Sequence, residues 1–186
     1  MALPESPTER HREIAGAFAD RVAGTRDWAA PAPVAGWTAR DVVGHLVGWF
    51  PGFLSAGGIV LSTGPGVDDD PVRAWQHQSS AVQDLIETRG DEPFTHPYAG
   101  THRLGDAVDR FYTADVFMHT WDLARATGQE PGLDEDFAAV LLDGLQPIEE
   151  MLRSSGQYGA PVPVGPDAPV VDRLMGFVGR DPAWRG

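Results

Sequence analysis

Apolar residues recur at helical spacing along most of the chain. Ile14, Phe18 and Val22 repeat every four positions behind Ser6-Pro7-Thr8-Glu9, which reads as a capping box with proline at the first helical position, so a helix is expected over 7–25. Thr38, with Asp41 three residues on, caps a second helix whose stripe is Val42, His45, Leu46, Trp49 and Phe53, and which Pro51 is expected to kink or end. Asp70-Pro71 opens a third helix with the stripe Val72, Trp75, Ser79, Val82 and Ile86. A long loop over 90–103 precedes a fourth helix over 104–127, apolar on nearly every side between Phe111 and Trp121 and closed by Gly128. A fifth helix is expected over 134–153, bent at Pro147, then an extended strap over 159–169 and a short helix over 170–178. No alternation is long enough to build a sheet. The pattern predicts an all-α single domain over 1–186, arranged as a helical bundle.

Composition narrows the chemistry. The 186 residues include no cysteine, no lysine and no asparagine, with 14 arginines against 27 acidic residues. That excludes disulfides, thiolate-ligated metals, a cysteine nucleophile, a lysine Schiff base and a Walker-type phosphate loop. The net charge of −13 argues against nucleic acid and anionic membranes as partners. No apolar run approaches the ~20 residues of a membrane span, and the polar start of the chain does not read as a signal peptide, so a cytoplasmic location is expected.

The most informative residues lie in the fourth helix. Asp115 and His119 are four apart, hence on one face, together with Phe111 and Tyr112. An ionisable pair on an apolar face needs partners. A divalent metal would satisfy both, with His45 on the second helix as the third ligand. Two plainer readings compete: a core histidine bonded to a carbonyl at position 45, and a structural ion pair between Asp115 and His119. Asp122 is read as a helix-end carboxylate bonding Arg125 or the backbone, in preference to a place behind His119. His11 and His77 are expected to be solvated. His96 and His102 fall on the long loop, and Arg40, Arg103 and Arg110 are read as solvated arginines.

Three segments carry a family resemblance: Trp37-Thr38-Ala39-Arg40-Asp41-Val42-Val43-Gly44-His45-Leu46, His119-Thr120-Trp121-Asp122-Leu123-Ala124-Arg125-Ala126-Thr127-Gly128, and Gly179-Arg180-Asp181-Pro182-Ala183-Trp184. They resemble the actinobacterial DinB/YfiT-like metal-binding proteins, which are similar to the metal-binding domain of mycothiol-dependent maleylpyruvate isomerase. The resemblance implies a DinB-like four-helix bundle with a long loop before helix 4 and a short C-terminal extension. It implies a divalent metal, zinc with nickel or ferrous iron as alternatives, on positions matching His45, Asp115 and His119. Two departures stand out. Asp115 is one methylene shorter than the glutamate of the isomerase pattern, so closer helices or a bridging water are expected. Only about thirty residues follow the fifth helix, fewer than the isomerase's C-terminal domain.

The same resemblance implies a low-molecular-weight thiol such as mycothiol as cosubstrate and a small electrophile as substrate, in a transferase or isomerase reaction. A cysteine-free chain is compatible with an external thiol, because zinc delivers thiolate at neutral pH. No residue is singled out as general acid or base. The alternatives are a non-catalytic metal-binding module, a hydrolase using zinc-bound water, and a non-haem iron oxygenase. A homodimer is compatible with all of them.

Overall fold

A computed structural model describes residues 3–156 and 158–186; the first two residues of the expected 1–186 domain lie outside them. The described chain is mostly helical. Helix α1 spans Pro7–Gly24, α2 Ala39–Ala56 and α3 Pro71–Arg89. A hairpin of β1 (Pro93–His96) and β2 (Gly100–Arg103) leads into α4 (Leu104–Ala107), a π-helical turn (Val108–Thr113) and α5 (Ala114–Ala126). Helix α6 (Glu135–Leu145), a 3₁₀ turn (Gln146–Ile148), α7 (Glu149–Ser154) and α8 (Val170–Phe177) complete the order. No helix among the described residues is long and apolar enough to cross a membrane.

Local chemistry accounts for most boundaries. Thr38 and Asp41 form the reciprocal capping box that starts α2. Asp70 accepts from the Arg73 N–H at the start of α3, and Asp134 from the Phe137 N–H at the start of α6. Ser6, by contrast, precedes α1 without a side-chain cap, so the box read from 6–9 does not form. Pro51 does not end α2, which continues to Ala56. Leu46, Phe50 and Leu54 stay fully buried on either side of the proline, and their burial outweighs the one missing backbone bond.

Two segments differ from the pattern reading. The expected loop over 90–103 contains an antiparallel hairpin pairing Phe94 with His102, which buries Phe94. The expected fifth helix is broken into α6, the 3₁₀ turn and α7 around Pro147, which has no N–H to continue the helix.

Helices α1 and α2 each pack against both α3 and α5. Helix α1 runs parallel to the π turn and α5: Arg10 pairs with Asp109 at one end and Gln129 bonds the Arg21 carbonyl at the other. Helix α2 runs antiparallel, with Trp37 just ahead of it beside His119 and Leu46 beside Tyr112. The shared interior holds Phe18 edge-on to Trp75 at 4.5 Å and Phe50 stacked on Tyr112 at 4.0 Å. Each fully buried side chain of this size contributes roughly 1.5–3 kcal/mol. Helix α8 packs on α6, and the Val162 N–H bonds the Gly176 carbonyl at 2.8 Å, tying the strap to α8.

Candidate metal centre

Antiparallel packing of α2 on α5 brings His45, Asp115 and His119 together. One ligand atom from each lies within 4.8 Å of the others. Asp115 stands between the two imidazoles: Oδ2 is 3.0 Å from His45 Nε2, and Oδ1 is 3.4 Å from His119 Nε2. The short aspartate therefore reaches both histidines directly, without a bridging group. Trp49, one turn after His45, donates its indole N–H to Asp115 Oδ2 at 2.9 Å.

Exposure is graded across the cluster. The side chains of His45, Asp115 and His119 are 31%, 20% and 5% exposed. Access is therefore from the α2 side, where a cleft of about 320 Å³ is lined by Gly36, Trp37, Asp41, Gly44 and His45. The Trp37 ring covers His119 nearly parallel, with centroids 5.7 Å apart.

Behind His119 lies a second layer. His119 Nδ1 donates to Asp122 Oδ2 at 2.8 Å, which turns Nε2 toward Asp115. Asp122 is wholly buried and also accepts from Arg180, through Nε at 3.2 and 3.3 Å and Nη2 at 3.0 Å. Asp122 is thus not the helix-end carboxylate bonding Arg125 that the sequence reading preferred. The i, i+3 spacing from His119 is the local signal; Arg180 stands in the third of the segments that carry the family resemblance, but 58 residues away no spacing pairs it with Asp122.

Charge follows geometry. Burial pushes the Asp115 carboxyl up, but the two imidazoles outweigh it and hold the group well below the usual carboxylate range. Burial likewise pulls His119 down, and Asp115 and Asp122 together reverse this, pushing it up to about 9. His119 thus has a carboxylate at each ring nitrogen, Asp115 at Nε2 and Asp122 at Nδ1. Two imidazole nitrogens and a carboxylate oxygen, with no lysine or arginine bonded to Asp115, are a donor set that suits zinc and other first-row divalent ions.

The other sequence candidates are engaged elsewhere. His96 Nδ1 accepts the Tyr98 and Ala99 N–H groups, and His102 donates to the Ala99 carbonyl, so both serve the hairpin turn. His77 bonds Ser62. His11 is fully buried, not solvated, with Nδ1 at 2.8 Å from the Thr113 hydroxyl. Tyr112 is also buried, donating to the Leu46 carbonyl. Arg40 donates to the carbonyls of Val67 and Asp68, Arg103 pairs with Asp91, and Arg110 lies over Phe111.

The family model described as mycothiol maleylpyruvate isomerase N-terminal domain matches residues 11–124, a span that includes His45, Asp115, His119 and Asp122. Two uncharacterized proteins of Mycobacterium tuberculosis are similar along nearly the whole chain: MT0763 of strain CDC 1551 / Oshkosh and Rv0738 of strain ATCC 25618 / H37Rv. Each is 28% identical over 180 residues, covering 94% of this chain and 97% of its own. No solved structure matches.

Proposed function

The chain belongs to the mycothiol maleylpyruvate isomerase N-terminal domain family, and from that premise we propose that it is a zinc-dependent thiol transferase or isomerase acting on a small electrophile, with mycothiol as the thiol. The proposed fold is a single DinB-like domain, with α1, α2, α3 and α5 as its four-helix bundle, working in the cytoplasm. The observation that carries the reading is the carboxylate of Asp115 standing between His119 and a His45 that lines an open cleft.

His45, Asp115 and His119 would hold the ion. When bound, zinc supplies Lewis acidity that keeps a thiol ionised at neutral pH. The chain's own part is positioning. Trp49 fixes Asp115 Oδ2 and leaves Oδ1 toward His119. Asp122 keeps the proton of His119 on Nδ1 and its lone pair on Nε2. Trp37, which lines the cleft, stacks over the His119 ring. The chain has no cysteine or lysine to act as nucleophile, which suits an external thiol.

The test compares turnover of activated alkenes, halides and esters by zinc-loaded protein with and without mycothiol. Thiol-dependent turnover lost in His119→Ala is expected. Ester cleavage indifferent to thiol would replace the proposal with a hydrolase, and inactivity across the panel with a non-catalytic metal-binding module.

A further inference from the structure

The family match ends at residue 124, yet a side chain from the far end of the protein completes the candidate centre. Arg180 follows α8, and its guanidinium spans both oxygens of Asp122 while Nη1 is tied to the Val178 carbonyl at 3.0 Å. An arginine fork held at both ends fixes a carboxylate's plane as well as its position. Asp122 in turn fixes the His119 ring through Nδ1.

Arg180 is itself fixed by how the C-terminal segment is laid down. Its N–H bonds the Met175 carbonyl at 2.8 Å, closing the end of α8. Gly179 has φ +90°, and a Cβ there would stand 2.9 Å from the Gly159 Cα and 3.0 Å from the Ala160 carbonyl oxygen. Only glycine lets the strap and the end of α8 approach this closely while turning Arg180 inward.

We infer that the C-terminal segment is part of the metal centre, with Arg180 acting as a positioning residue that sets His119 through Asp122. Histidine ligands depend on such outer partners for orientation, and losing one typically costs about 10–100-fold in metal affinity. The charges support the pairing. Arg180 cancels the charge of Asp122, so the ligand set presents only the single negative charge of Asp115 to the ion.

The inference rests on the metal reading, and the experiment separates the two. Zinc affinity is measured by chelator competition on full-length wild type, Asp122→Asn, Arg180→Met, Arg180→Lys and the Asp122→Asn/Arg180→Met double variant. Visible ligand-field spectra of the cobalt(II)-loaded forms are recorded alongside. Asp122→Asn should weaken binding about 10–100-fold and Arg180→Met about 10-fold. Both should shift the cobalt bands. The double variant should lose little more than the worse single, because both changes break one link. Arg180→Lys, which keeps the charge without the fork, should fall between wild type and Arg180→Met, and it carries the test if Arg180→Met does not fold. Wild-type affinity and an unshifted spectrum in a folded Arg180 variant would overturn the inference and leave the metal reading standing. Strictly additive losses would also overturn it. A wild type that takes up no zinc would remove both.

Discussion

His119 and His11 are both buried, and their surroundings drive them in opposite directions. His119 has a carboxylate at each ring nitrogen, Asp115 at 3.4 Å and Asp122 at 2.8 Å, and its pKa is pushed up to about 9. His11, on α1, bonds only the neutral Thr113 hydroxyl; its Nε2 has no hydrogen-bond partner among the described residues. Burial alone lowers it to about 4. Desolvation by itself makes a histidine inert at neutral pH, whereas desolvation beside carboxylates makes one that holds a cation, whether proton or metal ion. That difference, and not burial, sets the candidate centre on the α2–α5 face apart from His11.

The strongest way to break the comparison is to remove the cation-holding side. Metal analysis of protein purified without added metal should find one divalent ion per chain in wild type and none in the His45→Ala/Asp115→Ala/His119→Ala triple variant. Zinc at a hundred times its Kd should stabilise wild type by about 2.7 kcal/mol and the triple variant not at all. Equal metal content in the two proteins would place the ion elsewhere.

Comparable in size is the tilt of the metal-free stability curve. The folded pKa of His11 lies below its free value of 6.5, so unfolding takes up a proton in acid. Its contribution is complete above pH 6.5 and is lost as pH falls toward about 4, a loss of about 3 kcal/mol. His119 has the opposite sign: its contribution is complete below pH 6.5 and fades as pH rises through about 9. Urea melts across this range should show a flattened acid limb in His11→Leu and a flattened alkaline limb in His119→Gln. A His11→Leu variant that keeps the wild-type acid slope would remove His11 from the comparison.

Smaller effects sharpen it. Gly179→Ala forces a side chain into positive φ and against Gly159, at a cost of about 1–2 kcal/mol, and should weaken zinc binding by displacing Arg180. A lower Tm with unchanged zinc affinity would detach the C-terminal segment from His119. Trp49→Phe removes one donor to Asp115, and by calorimetry should weaken zinc binding about fivefold, equivalent to about 1 kcal/mol.

What could be read in the sequence was what local spacing encodes. The stripes of α1, α2 and α3 followed from i, i+4 repeats, and Asp115 and His119 share a face for the same reason. His45 stood out because an apolar stripe is a poor place for a solvated ring. The roles of His11 and Asp122 are not legible locally because their deciding partners are remote: Thr113 lies 102 residues from His11, and Arg180 58 from Asp122. The hairpin's four-residue strands bury little beyond Phe94, so the sequence carries no alternation that would predict them. The polar cap expected at Ser6 does not form although its residue types suit one, while Asp70, also followed by proline, does cap its helix.

The π-helical turn between α4 and α5 works as a phase shifter. A π turn holds one more residue than an α-helical turn would, and each residue advances an α-helix by about 100°. Through this turn a single continuous rod addresses two neighbours: Asp109 and Thr113 meet α1, while Tyr112 and Asp115 meet α2. Deleting one residue within 108–113 would relax the π turn to an α-helical one and leave Asp115 and His119 facing His45, whereas straightening the turn with every residue kept would dial them round by about a quarter of a turn. In this fold the position of the centre is therefore a matter of angular bookkeeping along one helix, and the turn absorbs the one residue by which an unbroken α-helical count would carry Asp115 past His45.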